Sequence, residues 1–141
     1  MGGMKKFVSI LVLLFSCGTA LAANDLPGDR ELLATYCSVV VDNKLNAMTA
    51  VARWQAKDNN ATRDLIEMTS KIIADLQDNK QQLDSFLKPI SIAAQESKGS
   101  AYAAALQEAR GRADRDTLDA KGLTDAVGKR LARCSDLSWL P

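Results

Sequence analysis

Residues 29–57 read DRELLATYCSVVVDNKLNAMTAVARWQAK, and the periodicity of this stretch decides the fold. Leu32, Leu33, Tyr36, Cys37, Val40, Val41, Leu45, Met48, Val51 and Ala52 recur at three- and four-residue steps. A helix turns once every 3.6 residues or so, and such steps therefore line one face of it. Asp42, Lys44, Asn46 and Arg53 fall largely off the stripe. Val39-Val40-Val41 is strand-like in isolation, but the longer period outweighs three β-branched residues. Asp29 offers an N-cap acceptor, so the expected helix runs from there to about Lys57.

Moving towards the C-terminus, Asp58-Asn59-Asn60 is a polar break, and Asn60 or Thr62 can cap a second helix. Its stripe is Leu65, Ile66, Thr69, Ile72, Ile73, Leu76, Leu83, Phe86 and Leu87, with a polar lapse at Asn79 and Lys80 where a mid-helix polar contact or exposure is expected. Pro89 predicts a stop near Leu87 or Lys88, because the residue before a proline is pushed out of the helical region. Two long helices on a short polar connection form an antiparallel hairpin. Residues 90–113 are Ala-rich and helical in propensity, with an interruption expected at Gly99-Ser100. The charged run from Asp114 to Lys121 reads as either helix or connection. Gly122 marks a boundary, and Thr124 can cap a last helix to about Cys134 or Leu137 with Val127, Leu131 and Cys134 inward. The apolar tail Trp139-Leu140-Pro141 is expected to fold against the end of the bundle.

Moving towards the N-terminus, Lys5-Lys6 precede the apolar run from Phe7 to Phe15, and Ala20-Leu21-Ala22 is a small-x-small cleavage pattern. Residues 1–22 therefore read as a cleavable secretory signal peptide of bacterial type, cut after Ala22, and residues 23–141 as a single helical domain. Met4 has the context of a natural start, which leaves Met1 or Met4 as the first residue. The apolar run is short of the roughly 20 residues that a membrane span needs, so no span is expected after cleavage. Leu14-Phe15-Ser16-Cys17 also resembles a lipobox, which would make Cys17 a lipoprotein anchor; Phe15 fits that slot poorly. The expected location is periplasmic or secreted.

In such a compartment the remaining cysteines, Cys37 and Cys134, form an even pair, read as one structural disulfide. There is no Cys-x-x-Cys spacing and no histidine to lower a thiol pKa, which argues against redox use. Cys37 lies near the start of the first helix and Cys134 near the end of the last. Four passes bring those positions to the same end, whereas three would separate them. The expected fold is therefore all-α: a four-helix up-down-up-down bundle, made of a long N-terminal hairpin and two less regular C-terminal passes.

The chain has no histidine, and with it go the commonest general acid–base, the commonest metal ligand and the Ser–His and Cys–His nucleophile pairs. Ser85-x-x-Lys88 matches an acyl-transfer spacing, but the companion motifs are missing and a Lys near a helix C-terminus is ordinary. Asp114, Asp116 and Asp119 are the densest acids, yet they alternate with Arg112, Arg115 and Lys121 as on a solvated surface. Asn60-Ala61-Thr62 is a formal glycosylation sequon, read here as a helix cap. No catalytic, metal-ligating or cofactor-binding residue is expected.

The whole chain carries 18 basic and 17 acidic residues, and loss of Lys5 and Lys6 leaves a near-neutral domain. No basic excess exists to draw nucleic acid. The residues best suited to protein binding are Trp54 and Trp139, and the arginine-rich stretch of Arg110, Arg112 and Arg115. The expected function is non-enzymatic binding of an unidentified protein partner, in the manner of an inhibitor, chaperone or accessory factor. The rivals are a structural or assembly component of an envelope complex, and a small-molecule or lipid carrier in the bundle interior.

Overall fold

A computed structural model describes residues 30–97, 99–119 and 124–141. The leader, Cys17, the Asp29 cap and Gly122 lie outside the described residues. The chain is all-α, with helices α1 (Arg30–Lys57), α2 (Arg63–Ser97), α3 (Gly99–Leu118) and α4 (Asp125–Ser135), and no strand among the described residues.

Local chemistry sets the ends. The Thr62 hydroxyl accepts the amide of Leu65 at 3.3 Å and opens α2, and the Thr124 hydroxyl accepts that of Val127 at 3.3 Å and opens α4. Each satisfies one of the first-turn donors that a helix cannot pair internally. Between α1 and α2 the Asp58 carboxylate accepts the Asn60 amide and turns the chain. Gly99 sits at φ +70°, a left-handed conformation cheap only for glycine, so the expected interruption before α3 is realised there.

Pro89 departs from expectation. α2 does not stop at Leu87 or Lys88 but continues through Pro89 to Ser97. Proline removes the bond to the carbonyl four residues back, here Ser85. Ser85 and Pro89 are both exposed, so water can take that carbonyl. The following Ala93-Ala94-Gln95-Glu96 favours helix strongly. The charged run after Ala113 is likewise helical, as far as Leu118.

Side-chain pairings give the direction of each pass. On α3, Tyr102 bonds Glu31 near the start of α1, while Asp114 and Thr117 accept from the Asn43 amide at 2.9 and 2.8 Å. α3 therefore runs alongside α1 in the same sense. The Cys37–Cys134 disulfide joins the start of α1 to the end of α4, with Cα atoms 5.0 Å apart, inside the normal range for such a bond. The order is up, down, up, down.

α1 is the hub. It packs on each of the other three helices, whereas α2 and α3 barely meet. Leu33, Ala34, Thr35, Tyr36 and Cys37 are five consecutive buried residues. A helix against a single neighbour buries a stripe, and five in a row need partners on every side. Leu33, Ala34, Tyr36 and Cys37 form one core with Val40, Val41, Leu83, Ala109, Ala113, Cys134 and Leu137. Ala109 and Ala113, one turn apart on α3, present small side chains where that helix is buried. Trp139 and Leu140 pack against this core from the tail, and the Trp139 indole donates to the Arg133 carbonyl at 2.9 Å.

Candidate functional site

A largely buried polar cluster lies beside the disulfide. Arg130 on α4 grips Asp116 on α3 with two hydrogen bonds, Nε to Oδ2 at 2.9 Å and Nη2 to Oδ1 at 3.0 Å. The Tyr36 hydroxyl, from α1, donates to the same Oδ2 at 2.6 Å. The two charged side chains are 11% and 7% exposed. Burial pushes the Asp116 carboxyl upward, but hydrogen bonds from Arg130 and Tyr36 and the charges of Arg130 and Arg112 outweigh it and leave the group below the usual carboxylate range. Burial, reinforced by Asp116, raises the Tyr36 phenol far above its ordinary value. Both Asp116 oxygens, the Tyr36 hydroxyl and the Arg130 Nε and Nη2 are committed to another helix. The chemistry of the cluster is that of a clamp on α1, α3 and α4.

The arginine-rich stretch is not a free cationic patch. Arg112 and Arg115 converge on one carboxylate, Glu108, at 3.8 and 3.0 Å, and Arg112 is mostly covered. Arg110 points to solvent. Trp139 is half-buried and packs against the core. Among the described residues no group of three or more His, Cys, Asp or Glu is placed to hold a metal ion: Asp114 receives Asn43, and Asp116 is held in the clamp. Ser85 and Lys88 line a shallow open groove of about 330 Å³ on one side of α2, together with Gln77, Lys80, Gln81 and Asp84. Lys80 in turn pairs with Asp42 across the hairpin and with Asp84 at 3.8 Å, which fills the polar lapse in the α2 stripe. The hydrogen bond to Asp42 raises the Lys80 ammonium above its ordinary value.

The structure concentrates its unused apolar surface elsewhere, at the far end of the α1–α2 hairpin. α3 reaches only the level of Asn43, halfway along α1. Beyond it α1 continues to Lys57, about 20 Å further at 1.5 Å per residue. Over that length, among the described residues, the two helices have mainly each other. Their facing residues still close up, with Thr69 and Gln55 buried. The Thr69 hydroxyl bonds the Leu65 carbonyl at 2.9 Å, which satisfies it without a partner helix. The flanks stay open. Val51 and Trp54 on α1, and Leu65, Ile66, Met68 and Ile72 on α2, are 38–62% exposed.

Trp54, a binding candidate from the sequence, is one of these exposed residues. Val51, Leu65, Ile66 and Ile72 were expected in the core stripe, and Met68 was off it; all are exposed instead. One signal in the chain points to this. The first two helices outlast the later passes, with 28 and 35 residues against 20 and 11, so short helices cannot cover the long hairpin. The Tyr36–Asp116–Arg130 clamp was not foreseeable, because three residues so far apart in sequence carry no spacing signal. No described helix is long and apolar enough to cross a membrane. Searches against protein-family models, curated proteins and solved structures give no match to this chain.

Proposed function

We propose that this is an exported, non-enzymatic binding protein whose docking face is the distal part of the α1–α2 hairpin. One observation carries the reading: Val51, Trp54, Leu65, Ile66, Met68 and Ile72 are exposed at a hairpin end that no third helix among the described residues reaches. Large apolar side chains left exposed near one another and rimmed by charge mark a protein-interaction surface. The rim here is Arg53, Arg63, Asp64, Glu67 and Lys71. Trp54, at 62% exposure, is the residue type most often found at the energetic centre of an interface. The leader-like residues 4–22 and the Cys37–Cys134 pair support a place outside the reducing cytoplasm.

The test is affinity capture from a periplasmic extract with the disulfide-intact protein, compared with a Trp54→Asp variant. The expected result is a protein retained by the native chain and lost by the variant, with unchanged circular dichroism. Equal retention by both, or none above a control column, would end the reading.

A further inference from the structure

We infer that the α2 side of this hairpin seats a second copy of the chain, α2 against α2 in an antiparallel pair about a two-fold axis; this rests on the docking reading above and names the occupant. Leu65, Met68 and Ile72 follow one another at three and four residues, the spacing of a helix–helix seam. Ile66 lies about 100° round the helix from Leu65 and is not part of that seam.

Charge selects the occupant. Asp64 and Lys71 are seven residues apart, so both stand on the same edge of the seam, beside Leu65 and Ile72. Neither has an ion-pair partner among the described residues, whereas Arg63 and Glu67 already satisfy each other at 2.8 Å. Two copies in parallel would put these residues on opposite edges of the seam, out of reach of one another. An antiparallel pair with Leu65 against the partner's Met68 brings Asp64 beside the partner's Lys71, and symmetry repeats the contact. An acid and a base so placed complement their own image.

Area sets the strength. From their fractional exposure, Leu65, Met68 and Ile72 leave roughly 250 Å² of apolar surface open per copy, so the seam of two copies buries about 500 Å² of it. That is the range of a weak, transient contact, and the pair should form and dissociate reversibly with concentration.

The experiment is sedimentation equilibrium of the purified protein, disulfide intact, over a wide concentration range. The native chain should show a reversible monomer–dimer equilibrium. Asp64→Lys alone, or Lys71→Asp alone, should weaken it by about tenfold, since two attractive pairs become repulsive. The double swap should restore it to within about threefold, because the pairs re-form with the signs exchanged. Both positions are exposed, and circular dichroism should not change. A dimer indifferent to the single swaps, or not rescued by the double swap, overturns the inference. A protein that stays monomeric but captures another protein through Trp54 overturns the second copy and leaves the docking face standing. A monomer that captures nothing overturns both.

Discussion

Replacing Asp116 by alanine should cost the fold more than any other single polar change described here. The carboxylate is the only group that pairs Arg130 among the hydrogen bonds of the clamp, and it also accepts the Tyr36 hydroxyl. Its loss leaves a guanidinium 11% exposed and a tyrosine of 0% exposure without their acceptor. Removing one member of a buried ion pair costs about 3–5 kcal/mol, and a buried hydroxyl left unsatisfied about 1–3 kcal/mol. The two losses share one cavity and one guanidinium that can turn towards water, so they fall short of adding, and about 4 kcal/mol is the expected loss. Against a typical total of about 5–15 kcal/mol, that is a large fraction. The assay is urea unfolding at neutral pH, disulfide intact, followed by circular dichroism, with an unchanged denaturant slope expected. Tyr36→Phe, which leaves the ion pair in place, should cost about 2 kcal/mol. The pH arm is independent of the mutational one. Asp116 titrates below the usual carboxylate range in the folded protein. As pH falls, the unfolded chain therefore takes up this proton first. The stabilisation is complete above roughly pH 4 and is lost as pH drops through the lowered folded value. The Asp116→Ala chain should lack that part of the acid loss. A cost below about 1 kcal/mol, with an acid limb identical to the native one, would show Asp116 to be solvated and the clamp absent.

Reducing the disulfide, whose cysteines are 97 residues apart, should lower stability by about 4 kcal/mol, read as the shift in urea midpoint with and without reductant; no shift would mean that the bond adds nothing to this fold. Pro89→Ala should raise stability by about 1–3 kcal/mol in thermal unfolding, because it restores the missing amide in a helix that already runs to Ser97; destabilisation would show that α2 does not continue as described. Gly99→Ala should cost about 1 kcal/mol for backbone strain alone, since nothing lies within 4 Å of an added Cβ, and Gly99→Asn should cost less, both checked by the same unfolding assay. At high pH the folded Tyr36 holds its proton longer than the unfolded chain does, so its contribution is intact below about pH 10 and fades above it. Tyr36→Phe should show a shallower alkaline decline.

The elements were largely legible because each rests on local chemistry. Thr62 and Thr124 cap as their positions imply, Gly99 breaks the chain where a left-handed residue is needed, and the cysteine positions select four passes. Pro89 misled because the local steric bias against helix before a proline was outweighed by the helix-favouring Ala93-Ala94-Gln95-Glu96 that follows and by the exposure of Ser85 and Pro89. Periodicity tells which side of a helix is apolar but not how many neighbours it meets. The same kind of stripe therefore reads identically along all of α1, although its first half is enclosed by three helices and its second half meets one.

That asymmetry ties the fold to its proposed use. Among the described residues, the polar contacts of α3 and α4 with α1, and the covalent one, fall on its first half: Glu31, Tyr36, Cys37 and Asn43. Nothing comparable holds the far half, where Asp42–Lys80 is the last ion pair across the hairpin among those described. The molecule is thus braced at one end so that a two-helix arm can project from it. An unbraced arm of two helices buries too little to be rigid by itself, and a hairpin carrying Leu65, Met68, Ile72 and Trp54 in water is left with apolar surface that a third and fourth helix would cover. α3 and α4 are too short to supply them. A second hairpin of the same chain has the required length, the same seam and the complementary charges, and pairing two such arms completes for the distal half the four-helix packing that the disulfide-bonded half achieves alone.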